Sequence, residues 1–223
     1  MIDQVLFDWA PLAIALVVGC FFADYSLTHV GARANERVRD RWRVEGSYEM
    51  NPVWERQIDS GRWFGLRVLL APLALAATLS GLRLLAGFFD VYADPAYFAL
   101  GVGTMLLIQA PVLMLHASNL QTFRMLADPS AAEGSIVYRR WFVYQQGIVY
   151  LAGFAVLWLL LWVPSQQAFF LGGVLSCGLF ARRFTRLATA ARQAPPAATA
   201  PALSAAAAAQ PEAPVLYDSV TET

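Results

Sequence analysis

Apolar residues in this chain gather in long, nearly unbroken blocks instead of the period-3.6 stripes of a helix lying on a soluble core. The hydrocarbon core of a bilayer is roughly 30 Å thick and takes about 20 apolar residues in helical form. Five stretches satisfy that length: 1–30, 64–89, 96–119, 141–163 and 166–186. They predict an all-α fold, a polytopic transmembrane helix bundle of about five spans. Between them fall an Arg-rich loop with an interfacial helix over 31–63 and a second loop over 120–140. Pro164-Ser165-Gln166 is short enough to force the last two spans into an antiparallel hairpin. The first block follows the acidic leader Met1-Ile2-Asp3-Gln4 and has no small-residue cleavage site behind it, so it reads as a permanent span. Ala/Pro-rich residues 188–223 lack the large side chains that offset the entropy of ordering and read as a disordered tail.

Charge orients the bundle. All basic residues are Arg, and they fall in alternate connections. Arg33, Arg37, Arg39, Arg41, Arg43, Arg56 and Arg62 follow the first span; Arg124, Arg139 and Arg140 follow the third; Arg182, Arg183, Arg186 and Arg192 end the fifth. The other connections hold only Asp3, Asp8, Asp90, Asp94 and neutral residues. The positive-inside rule then puts the N-terminus outside and the C-terminus in the cytoplasm. Arg67 and Arg83 are expected to snorkel to opposite headgroup layers. Composition agrees with a membrane protein, being 58% hydrophobic and only 14% charged. Sixteen basic and sixteen acidic residues cancel, leaving no net field for nucleic acid. The expected partners are membrane lipids, with a homo-oligomer or protein partner engaged through the bundle or the tail. Cys20 and Cys177 lie within apolar blocks and read as packing residues.

Within the first Arg-rich loop, Asn51-Pro52 reads as the N-cap and first residue of a short helix toward Asp59, ended by Gly61. Gly61 and Gly65 also match a helix-dimer spacing but read as a turn or a close-packing site. His29 borders the same loop and reads as solvated.

Charged groups inside a bilayer cost about 2.5 to 3.5 kcal/mol each on insertion scales, so they need a reason. Asp24 and Thr28 share a helix face at the inner end of the first span. His116 and Asn119 share one where the third span leaves the bilayer. The topology carries both pairs to the cytoplasmic leaflet, where Glu49 and Asn51 are tethered. Asp24, Thr28, Glu49, Asn51, His116 and Asn119 are therefore expected around one shallow site. Two readings stay open. One is a packing network in which the carboxylates accept bonds from Asn119, His116 or Arg67. The other is a functional site, with Glu49 and His116 as candidate catalytic groups and Asp24, Glu49 and His116 as candidate ligands of a divalent metal. No phosphate-binding glycine loop, nucleophile elbow or His-Glu-x-x-His pattern is present.

Asp24-x-x-x-Thr28, Tyr48-Glu49-x-Asn51-Pro52 and His116-x-x-Asn119 resemble a group of small, uncharacterised polytopic prokaryotic membrane proteins. The resemblance covers roughly residues 20–120, and the segment Gly134-Ser135-Ile136-Val137-Tyr138 extends it. It implies relatives but no activity. The expected function is a scaffold, an accessory subunit or a small transporter component. The rival is an intramembrane or interfacial hydrolase, and a channel would require oligomerisation.

Overall fold

A computed structural model describes residues 1–89, 94–128, 130–131 and 134–194. Met1–Gln193 forms one compact unit. Its helices are α1 (Ile2–Asp8), α2 (Ala10–Arg37), α3 (Pro52–Asp59), α4 (Leu66–Phe88), α5 (Pro95–Leu106), α6 (Gln109–Leu126), α7 (Arg140–Ser165) and α8 (Ala168–Gln193). Helix α8 takes up the first residues of the predicted tail, and residues 195–223 lie outside the described residues, as does Asp90. Four helical segments are long and apolar enough to cross a membrane: Ala10–Arg37, Leu66–Phe88, Pro95–Leu126 and Arg140–Ser165. The fifth expected span, α8, is not among them, because Arg182, Arg183 and Arg186 follow its apolar first half.

Two predicted single helices are broken, and prolines account for both breaks. Pro111 has no N–H to give the carbonyl of Leu107 and crowds it, so the 96–119 block divides into α5 and α6 at Leu107-Ile108. It also continues to Leu126, beyond the predicted end. Pro11 does the same to Phe7, separating α1 from α2 at Trp9. Helix α2 runs on to Arg37, well past the predicted end of the first span. The α7–α8 turn is closed by Gln166 at φ 53°, a left-handed cap built without glycine.

The helices alternate in direction. The Arg83 guanidinium near the end of α4 lies 3.9 Å from the ring centroid of Phe7, while Trp63, just before α4, stacks on His29 far along α2. Ala10, Ala13 and Val17 of α2 pack against Leu79 of α4 and Phe98 and Val102 of α5. Helices α5 and α8 touch backbone to backbone: a Cβ on Gly103 would overlap the Phe169 carbonyl, and one on Gly172 the Leu100 carbonyl. At this end the Asp3 carboxylate accepts from the N–H groups of Ala168 (2.8 Å) and Phe169 (3.1 Å), satisfying orphan donors of α8. Away from these contacts large apolar side chains face outward; Leu73 and Leu160 are 63% and 65% exposed.

The opposite end holds something the periodicity does not predict. Strands β1 (Trp42–Val44) and β2 (Ile136–Tyr138) pair in parallel, Trp42 opposite Ile136 and Val44 opposite Tyr138. This ties the two Arg-rich loops together. Arg41 adds to the tie by donating to the carbonyls of Leu126 (3.2 Å) and Asp128 (3.0 Å) at the end of α6.

Candidate functional site

The break at Leu107-Ile108 lets α6 take its own line toward the strand-bearing end of α2. There His116 Nε2 lies 2.9 Å from Asp24 Oδ1 and 3.2 Å from Thr28 Oγ1. Thr28 also donates to the Asp24 carbonyl at 3.0 Å, one turn back on α2. An ionised Asp24 requires the hydrogen of the imidazole on Nε2, which leaves Nδ1 as the ring's acceptor. Nδ1 is buried and has no hydrogen-bond partner among the described residues.

The second wall is the segment joining β1 to α3. Asn51 caps α3, its side chain accepting from the Val53 N–H at 3.2 Å, and the helix gives way at Ser60 to Gly61 with φ 66°. Gly61 and Gly65 thus frame a turn before α4, not a helix-dimer face. Glu49 turns back on its own loop, Oε1 accepting from the Asn51 N–H at 2.6 Å. Arg140, at the start of α7, grips this segment. It donates to both oxygens of Glu55 (3.1 and 2.9 Å) and to the Glu49 carbonyl (3.3 Å). The guanidinium holds the Glu55 carboxyl below its ordinary range, chiefly through these bonds. Among the described residues no cation bonds the Glu49 carboxylate, although the nearby Arg140 charge pulls its carboxyl down. Desolvation, with the nearby Asp24 charge adding to it, pushes the Glu49 carboxyl up to about 7, against the opposing pull of the Asn51 N–H. Burial likewise pushes the neighbouring Tyr48 phenol up to about 12.

These walls enclose a cavity of about 190 Å³ lined by Asp24, Thr28, Glu49, Asn51, His116 and Asn119. All six residues singled out in the sequence therefore meet. Between them the lining is apolar or aromatic, with Phe21, Trp54, Val112, Leu115, Leu151 and Phe184. No family model, curated protein or solved structure matches this chain. What the site does must accordingly be read from its own chemistry.

Several of its residues escape a sequence reading. Arg183 of α8 reaches across to donate to Asn51 Oδ1 at 3.2 Å, and Gln146 and Tyr150 of α7 line the cavity. Nothing local marks Arg183 apart from the arginines beside it. His29, expected to be solvated, is 2% exposed: it lies 2.9 Å from the Tyr25 hydroxyl and stacks on Trp63 at 4.6 Å. The Tyr25 hydroxyl in turn accepts from Gln57 at 2.8 Å, docking α3 onto α2. Arg67 donates to the Val53 carbonyl at 2.9 Å instead of to either carboxylate, and Arg83 lies over Phe7.

Asp24, Glu49 and His116 were candidates for a metal site. Among the described residues no three His, Cys, Asp or Glu side chains gather closely enough to hold a metal ion. Asp24 and His116 spend their facing atoms on each other, and Glu49 is turned to the Asn51 N–H. The arrangement offers the Glu49 carboxyl, raised to about 7, beside a surface that favours apolar groups.

Proposed function

We propose that this chain is an integral protein of the prokaryotic cytoplasmic membrane, with its N-terminus outside and α8 as a fifth crossing. We propose further that its cavity binds a small amphiphilic molecule from the cytoplasmic leaflet, as a transporter component or accessory subunit would. Four segments of spanning length and composition, with leucines exposed on their outer faces, support the membrane reading. The arginines that gather at the cavity end support the orientation.

One observation carries the binding reading. Polar side chains from α2, the loop before α3 and α6 converge on a cavity whose remaining walls, from α7 and α8, are largely apolar. A purely structural polar junction would close on itself and satisfy its atoms. Here a cavity stays open among these groups, and desolvation raises the Glu49 carboxyl on its wall to about 7. Such a mixture matches sites that take molecules with one polar end.

The test is native mass spectrometry of the full chain after incubation with a neutral single-chain monoacylglycerol. The wild type should retain one equivalent. Leu115→Trp, which fills the cavity, should lose it while keeping its melting temperature. Failure of the wild type to bind, or undiminished binding by the filled variant, refutes the reading.

A second reading, an interfacial hydrolase, is favoured by the Glu49 carboxyl near neutrality, where a general base works best. In it Glu49 or His116 takes the proton of an attacking water. Thr28 is poorly placed as a nucleophile, since its hydroxyl donates to the Asp24 carbonyl. Turnover of an ester-linked amphiphile, abolished in a folded Glu49→Gln protein, would establish this reading over simple binding.

A further inference from the structure

We infer that the amphiphile is an anionic phospholipid, its phosphate held by Arg182, Arg183 and Arg186 of α8 and its apolar portion entering the cavity. This rests on the binding reading above and names its ligand. The three arginines fall within little more than one turn of α8, and all three are exposed. Among the described residues none of them lies within ion-pair distance of a carboxylate; the pairs found are His116–Asp24 and Arg140–Glu55. Their charge is therefore uncompensated within the described protein.

Position separates this cluster from ordinary inner-leaflet arginines. Arg182, Arg183 and Arg186 form a surface notch with Leu179 and Leu187. Arg183 and Leu187 also line the cavity that contains Asp24, Glu49 and His116. Notch and cavity thus share Arg183 and Leu187 as a wall, with Arg183 bonded to Asn51 and the rings of Phe180 and Phe184 on the cavity side. Guanidinium forks match phosphate oxygens in geometry and charge. A cationic amphiphile would be repelled at this mouth, and a neutral one would leave Arg182 and Arg186 unused. An anionic phospholipid uses both parts while its second chain stays in the leaflet.

The experiment compares binding of dilauroyl phosphatidylglycerol and dilauroyl phosphatidylcholine to the full-length protein in neutral detergent, with soluble glycerol phosphate as competitor. Phosphatidylglycerol should bind at least tenfold more tightly. The R182Q/R183Q/R186Q variant should abolish that preference, and Leu115→Trp should abolish its binding. Should the triple variant fail to fold, R182Q/R186Q carries the test, since neither side chain makes a hydrogen bond to a described residue. Equal binding of the two lipids refutes the inference but leaves the cavity reading standing if the monoacylglycerol still binds. Preference surviving in Leu115→Trp refutes it by placing the lipid on the outer surface alone. Competition by glycerol phosphate at the affinity of the lipid refutes it in favour of a soluble phosphate ester. Binding of neither the phospholipids nor the monoacylglycerol refutes both.

Discussion

At the scale of single residues, the site depends on which charges are compensated. Glu55 receives the Arg140 fork and is stabilised as a carboxylate, whereas at Glu49, a few residues earlier, desolvation outweighs the pull of the same Arg140. Because the folded state raises the Glu49 carboxyl above its unfolded value, the folded protein binds the proton more tightly. Its contribution to stability is therefore fully present below about pH 4.5 and is lost as pH rises through about 7. Melting curves from pH 5 to 8 should show this decline in the wild type and a flatter profile in Glu49→Gln. Identical slopes would mean that Glu49 is solvated. Gly31 sets a second condition, since a Cβ there would overlap the Tyr48 hydroxyl. Gly31→Ala should displace Tyr48 and lower monoacylglycerol binding more than it lowers the melting temperature.

At the scale of elements, two devices shape the bundle. One is close approach: Gly172 lets α8 meet the backbone of α5, whereas Gly153 on α7 faces open space. Gly172→Ala should cost about 1 to 3 kcal/mol through overpacking, and Gly153→Ala should be close to neutral. Thermal unfolding of the pair in one detergent checks this; equal effects would contradict the tight α5–α8 contact. The other device is the Arg140 clamp, which fastens the Glu49 loop and α3 to α7. Both partners are partly exposed, so Arg140→Gln should cost about 1 to 2 kcal/mol. Its larger effect should be on ligand affinity, because the cavity wall carrying Glu49 and Asn51 is released.

At the scale of the whole molecule, alternating helix directions carry both Arg-rich loops and the arginines of α8 to one end. With α8 as a crossing, reporters fused after Arg43, Asp94 and Arg192 should read cytoplasmic, external and cytoplasmic. A cytoplasmic reading after Asp94 would overturn the five-span arrangement. The cavity sits at the arginine-rich end, so the same experiment assigns it to a leaflet.

The apolar blocks, the cap at Asn51 and the uneven arginines were legible because each is a local property. Hydropathy, a capping oxygen and a missing proline N–H act within a few residues; Pro11 and Pro111 lie inside apolar blocks whose hydropathy conceals the two helix breaks. The six cavity residues were also legible, since Asp24, Thr28, His116 and Asn119 stand out at the ends of apolar blocks and the expected topology tethers Glu49 and Asn51 beside them. Tertiary structure alone decided what these groups do with one another. It paired Asp24 with His116 and turned Glu49 to a backbone N–H, so the three did not form a metal set. It buried His29 under Trp63, joined residues 42–44 to 136–138 as strands, and brought Arg183 to Asn51. Apart from the local Glu49–Asn51 bond, these contacts join segments brought together by packing, and their energies depend on distance and desolvation, which no local pattern records.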